Sequence, residues 1–201
     1  TQWRDKSGKA YHATGYGGTT LQTFTPGMNG ITLNGSDTYF YASNATAMNT
    51  TSELSVFVVA TMGSMGAEWR RLVGFGDPDF NTSNSCVAFD RYSTNNQLAF
   101  ERGGASSSSA VTLTPPAQFI GRTVFSATGA QQFINGASNA SVTATYGAFN
   151  YSLYNIGRYS GGGYNWTGAI CEVLAYNSAL TTAQSQMIEG YLAWKWGVSE
   201  K

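Results

Sequence analysis

Leu54-Ser-Val-Phe-Val-Val-Ala-Thr61 is apolar at almost every position and rich in β-branched residues. A strand with one wet face alternates apolar and polar side chains, whereas this run leaves neither face for water. It reads as a central strand covered on both sides. Downstream, Arg71 to Phe75 and Cys86 to Asp90 make two shorter strands around the breaker Gly76-Asp77-Pro78-Asp79, and Leu98 to Glu101 alternates. Gly103 to Ser109 reads as a flexible loop, and Pro115-Pro116 ends the next extended piece. Val124 to Ala127 and Gln132 to Ile134 pair across Thr128-Gly129, and Asn135-Gly136 turns the chain into a hairpin towards Ala140 to Ala144. Tyr154 to Tyr159 and Ala169 to Tyr176 are the last strands. Upstream, two alternating segments within Ile31 to Tyr41 flank Asn34-Gly35, a pair that tolerates positive φ at both positions. Turns at roughly ten-residue spacing set the rhythm of an all-β, two-sheet antiparallel sandwich.

One segment breaks that rhythm. Thr181-Thr-Ala-Gln184 fits a capping box, in which the Thr181 hydroxyl and the Gln184 amide satisfy the free N–H groups of a first helical turn. Met187, Ile188, Tyr191 and Leu192 fall on one helical face, and Gly197 is a natural stop. The pattern predicts one C-terminal helix over residues 181–196, packed on the sandwich. Trp194 and Trp196 are expected to pack against its edge.

The composition excludes several classes. Of 201 residues only 11% are charged, against about 25% in typical soluble domains. Lys+Arg and Asp+Glu number 11 each, with no basic run, which argues against nucleic acid as a partner. A chain 42% hydrophobic and 14% aromatic at zero net charge is the opposite of a disordered one. No window approaches the ~18 apolar residues of a membrane span, so membrane insertion is not expected. Solubility rests on Ser, Thr, Asn and Gly, a surface suited to other neutral polar surfaces, glycans among them. Cys86 and Cys171 are too few for a disulfide scaffold; they read as buried thiols, with a bridge left open if their strands face each other. No repeat, composition break or linker divides residues 1–201, which are expected to form one domain excised from a longer chain.

Trp3-Arg-Asp5-Lys-Ser7-Gly8, Ile31-Thr-Leu33-Asn-Gly35 and Gln132 to Gly136 occur in that order. Ile156-Gly157, Trp166-Thr-Gly168-Ala-Ile170-Cys-Glu172-Val-Leu174-Ala-Tyr176, Leu180-Thr181 with Gln184, and Glu189-Gly-Tyr-Leu-Ala-Trp-Lys-Trp-Gly197 follow. The series resembles the concanavalin A-like (laminin-G-like) jelly-roll domains of bacterial, bacteriophage and large DNA virus surface proteins. The resemblance spans nearly the whole chain and implies a jelly roll of two antiparallel sheets. Cys171 stands where that family often has Asp.

The family includes glycoside hydrolases and lectins. Hydrolysis needs two carboxyl groups about 5–5.5 Å or 6.5–9.5 Å apart. The Glu residues of this chain (53, 68, 101, 172, 189 and 200) are isolated from other acids in sequence, and Glu172 sits in a strand where a satisfied carboxylate is expected. His12 is the one histidine, and no G-x-S-x-G elbow or phosphate loop occurs. No enzyme is expected. Asp77-Pro-Asp79-Phe-Asn81 alternates hard oxygen ligands, so Asp77, Asp79 and Asn81 are candidate calcium ligands; the plainer reading is a polar turn. N-x-S/T matches recur as well, as such a composition generates by chance.

For sugar, the best stretch is Arg158-Tyr159-Ser-Gly-Gly-Gly-Tyr164-Asn165-Trp166. Aromatic faces stack on pyranose C–H faces, Arg and Asn supply hydrogen bonds, and the glycines let backbone approach closely. Arg158, Tyr159, Tyr164, Asn165 and Trp166 are the carbohydrate-binding candidates, with core packing as the plainer reading for Trp166; Trp69 and Tyr92 are secondary. The expectation is a non-catalytic glycan-binding or adhesion module, extracellular or on a virion or particle surface. Its partners would be a cell-surface glycan or polysaccharide and its parent polypeptide or particle subunits. The alternative is a structural or decoration domain of a viral or phage capsid, spike or fibre, and a glycoside hydrolase is the residual.

Overall fold

The computed structural model describes residues 2–25, 28–43, 51–64, 66, 69–76, 85–92, 96–103, 105–151, 153–159 and 161–198. In it β6 (Leu54–Met62) is the fourth of seven strands in the smaller sheet, whose order is β13 (Ala137–Thr143), β12 (Gly129–Ile134), β11 (Ala117–Ser126), β6, β15 (Thr167–Tyr176), β4 (Met28–Asn34) and β3 (Thr20–Thr25). The larger sheet runs β1 (Gln2–Trp3), β2 (Ala13–Tyr16), β5 (Tyr39–Ala42), β14 (Tyr154–Ile156), β7 (Arg70–Phe75), β8 (Cys86–Tyr92), β9 (Gln97–Arg102) and β10 (Ala105–Thr112). Every ladder between these strands is antiparallel. The two sheets form a jelly-roll sandwich.

β6 is covered on both sides, as its composition requires. Leu54, Val56, Val58, Ala60 and Met62 enter the core between the sheets. Phe57 and Val59 face the other way, into a second apolar cluster with Ile120, Cys171, Leu192, Trp196 and Val198. That cluster exists because a helix, α1 (Thr182–Trp196), lies on the outer face of the smaller sheet. The capping box forms: the Gln184 backbone N–H donates to Thr181 Oγ1 at 3.3 Å, and the Thr181 backbone N–H to Gln184 Oε1 at 3.0 Å. Gly197 closes the helix in the left-handed region, with φ 63°.

The face α1 buries is the expected one only in part: Leu192 is buried and Ile188 packs against its cluster, whereas Met187 and Tyr191 face water. Ser185, Glu189, Leu192 and Trp196 are buried, whereas Met187 and Trp194 are 70% and 82% exposed. The sheet beneath explains the rotation, because its outer face carries charge. Arg122 on β11 pairs with Glu189 at 3.4 Å and lies 3.7 Å from the Phe133 ring centroid on β12. Burial lowers the Arg122 pKa and the Glu189 carboxylate opposes it. Glu172 on β15 accepts from Lys195 Nζ at 3.0 and 2.9 Å and from Trp196 Nε1 at 2.6 Å, so it is a docking clasp for the helix end.

Other departures are local. Ala105–Thr112, expected in part as a loop, is β10, paired with β9 from Ala105 opposite Arg102. Ser and Ala favour strands little, but an edge ladder needs only their backbone. The Asn34-Gly35 turn joins strands of different sheets: the Asn34 side-chain oxygen accepts from the backbone of Ser36, Asp37 and Thr38, steering the chain across the sandwich end.

A buried polar network ties the sheets together. β8 and β9 shift register between Val87 and Asp90. Gln132 Nε2, reaching from β12, donates to the carbonyls of Ala88 and Ala99, both at 3.1 Å. Its Oε1 accepts from Asn139 Nδ2 at 2.7 Å, and Asn139 Oδ1 from the Val111 N–H at 3.0 Å.

Both cysteines are free thiols, Cys86 in the main core and Cys171 under α1. Burial pushes each up to about 12. At pH 8 both stay protonated and covered, and the thiolate is the reactive form. A thiol reagent is therefore expected to leave the folded protein unlabelled and to label two sites after denaturation. Fast labelling of the folded protein at pH 8 would contradict the buried placement.

Candidate functional site

Phe40 on β5 points into the core, so by strand alternation its neighbour Tyr39 stands on the outer face of the larger sheet. Tyr16 on β2 is the cross-strand partner of Tyr39. Their rings stack with centroids 4.7 Å apart and planes 8° from parallel. Arg158, two residues beyond β14, lays its guanidinium carbon 3.8 Å from the Tyr39 ring centroid. Its Nε donates to the Tyr159 carbonyl at 3.2 Å.

The loop then folds back on itself. The Gly162 N–H donates to the Tyr159 carbonyl at 3.0 Å, and the Tyr159 N–H to the Gly163 carbonyl at 3.2 Å. A Cβ at Gly161 would stand 2.6 Å from the Tyr159 ring, so only glycine leaves that ring where it is. Gly162, Gly163 and Tyr164 follow at φ 93°, 76° and 50°. Glycine adopts this region freely; a bulky aromatic does so at a cost. Tyr164 is held there by the Arg71 N–H, which donates to its carbonyl at 2.8 Å, and by an edge-to-face contact with Tyr159 at 5.7 Å. The result is a run of Tyr16, Tyr39, Arg158, Tyr159 and Tyr164 at one end of the sandwich, in which Tyr16 and Tyr164 are 43% and 42% exposed.

Asn165 lies beside this run, but its amide nitrogen is engaged, donating to the Ser36 carbonyl at 2.6 Å and so latching the loop to the Asn34 turn. Trp166 is fully buried. Its Nε1 donates to the Thr61 carbonyl at 2.9 Å, and its N–H closes the loop onto the Gly157 carbonyl at 2.9 Å. It supports the surface from below and offers no face to a ligand. Trp69 is half-buried, with the Arg71 guanidinium 5.3 Å from its ring centroid. The candidate calcium ligands Asp77, Asp79 and Asn81, and the Tyr92 side chain, lie outside the described residues. Sequence spacing had no way to bring in Tyr16 and Tyr39, which reach the site only through strand order.

The fold also gathers acids that are isolated in sequence. Asp90 on β8 and Glu101 on β9 both take Arg71 Nη1, Glu101 at 3.0 Å. Burial raises the Asp90 pKa well above the ordinary carboxylate range against the pull of Arg71. Asp90 has no exposed surface, and one guanidinium engages both groups. That geometry makes a network of charges held within the fold. His12 has a structural bond, its Nδ1 accepting from the Asp5 N–H at 3.0 Å. A groove of about 470 Å³ between α1 and β15 is lined by Leu174, Tyr176, Met187 and Tyr191. Its polar members, Glu172 and Gln184, are already engaged in the helix clasp and cap. Among the described residues no helix is long and apolar enough to cross a membrane.

The profile of the family described as the concanavalin A-like lectin/glucanases superfamily matches residues 34–184. No curated protein matches the chain as a sequence relative. Among solved structures, Trypanosoma rangeli sialidase in complex with sialic acid is similar at TM-score 0.69 and 13% identity, over 93% of this chain and 30% of the sialidase. The botulinum neurotoxin serotype C1 binding domain is similar at TM-score 0.65 and 13% identity, over 94% of this chain and 49% of that one. A botulinum neurotoxin type C structure, described with cell entry dependent on interaction with two ganglioside molecules, is similar at TM-score 0.65 and 14% identity, over 94% and 48%. The chain thus spans from under a third to about half of these structures, and at these identities the likeness is one of fold.

Proposed function

Because the chain belongs to the concanavalin A-like lectin/glucanase superfamily, we propose that it is a carbohydrate-binding module that acts without catalysis, displayed outside the cell or on a particle surface. The observation that carries this reading is Tyr164, an aromatic side chain kept in the left-handed region and 42% exposed at the end of an aromatic run. Backbone strain persists where surrounding structure imposes it, and it clusters at functional sites. The glycan-linked neighbours, a sialidase bound to sialic acid and a ganglioside-dependent toxin, support the same class of partner.

A shallow stacking surface binds weakly, in the micromolar to millimolar range of about 4–8 kcal/mol. Attachment then depends on several copies acting together, where effective concentration multiplies single-site affinity. The module should therefore be displayed multivalently on a glycan array. The parent is expected to bind a defined glycan set and to release no reducing ends from it. Tyr164→Ala should lose about 2 kcal/mol of binding or more, as expected of a central aromatic contact. Its Tm should stay close to that of the parent, because the side chain is half in water. Normal binding by Tyr164→Ala would place the site elsewhere, and a parent that binds no displayed glycan would refute the reading. Sustained hydrolysis would refute the absence of catalysis.

A further inference from the structure

Arg158 differs from Arg71, Arg91, Arg102 and Arg122. Arg71 Nη1 holds Asp90 and Glu101, Arg91 reaches Asn96 and the Gly66 carbonyl, Arg102 reaches the carbonyls of Ser52 and Gly147, and Arg122 pairs with Glu189. Each directs its guanidinium into the fold. Arg158 is held by its stack on Tyr39 and its Nε bond to the Tyr159 carbonyl. Yet among the described residues no carboxylate lies within ion-pair distance of it, and none is bonded to its Nη1 or Nη2.

Stacking on a ring removes most of a guanidinium's freedom in advance, so little more is lost when its two terminal nitrogens take a ligand. Their fork matches a planar carboxylate through two parallel hydrogen bonds. The flanking rings of Tyr16, Tyr159 and Tyr164 provide apolar surface for sugar C–H groups on the same run. We propose that the glycan is acidic, a saccharide bearing a carboxylate, with Arg158 as the residue that selects it. This inference rests on reading the aromatic run as a glycan site.

The test is binding of the intact module to an array with three arms at equal density: carboxylate-bearing saccharides, their carboxyl-reduced neutral counterparts, and sulfated saccharides. The expected result is preference for the carboxylate arm, weakening as salt rises, with binding to it about ten-fold lower in Arg158→Gln. Arg158→Lys keeps the charge without the fork and should recover only part of the loss. Far-UV spectra and Tm of both variants establish that they fold. Equal binding to the carboxylate and neutral arms, preference for the sulfated arm, or an unchanged Arg158→Gln would overturn the carboxylate assignment while leaving the glycan site standing. Binding to none of the arms, or to any that Tyr164→Ala does not weaken, would overturn the glycan site itself.

Discussion

Arg122→Met is expected to lower folding stability by about 3–5 kcal/mol, the usual cost of removing one partner from a buried ion pair. The Arg122 and Glu189 side chains are 5% and 7% exposed, so water does little for the carboxylate left behind. The loss falls on the helix layer, because Glu189 sits mid-helix between Ser185 and Leu192 on the docked face. The double substitution Arg122→Met with Glu189→Leu should recover most of the loss, since an apolar replacement of a whole buried pair is often neutral or better. Urea denaturation of the parent, both single variants and the double variant reads the coupling directly. A single variant within about 1 kcal/mol of the parent would show that the pair does not hold the helix.

Trp166→Ala should cost a comparable amount, about 3–5 kcal/mol for emptying the volume of a buried aromatic. It also leaves the Thr61 carbonyl without the indole donor. Trp166→Phe keeps most of the volume and should lose about 1–3 kcal/mol, the cost of an unmet buried acceptor. Binding by the folded fraction of Trp166→Phe should match the parent, because the indole faces the core. A Trp166→Phe protein that is fully stable but loses glycan would mean that the ring reaches the ligand after all. Together with Tyr164→Ala the pair separates support from contact, two residues apart in one loop.

Which parts of this arrangement could be read from sequence follows from where the deciding forces lie. Leu54 to Thr61 announced its place because burial on both faces writes itself into composition, and the Thr181 capping box because its partners are three residues apart. The helix face was hidden because its orientation is set by Arg122 and Glu172, on two strands far away in sequence. Ala105–Thr112 was hidden because an edge strand is held by backbone bonds that any side chain permits. At the site, Arg158, Tyr159 and Tyr164 were visible as one stretch, but Tyr16 and Tyr39 join it only through the order β2-β5-β14. Asp90 and Glu101 meet for the same kind of reason, across a hairpin whose register shifts between Val87 and Asp90.

That register shift bears on how the domain answers to pulling. The hydrophobic effect between two sheets is non-directional and by itself marks no single position along them. The Gln132 amide is not indifferent: it grips the Ala88 and Ala99 carbonyls of the opposite sheet at single positions, inside a dry interior. A tether that drags one sheet along the other must break these bonds before any new ones form, because the Gln132 side chain has no exposed surface. Gln132 is therefore expected to act as a rivet against shear. Under load the sandwich should yield by peeling strands from an edge while its two sheets stay in register.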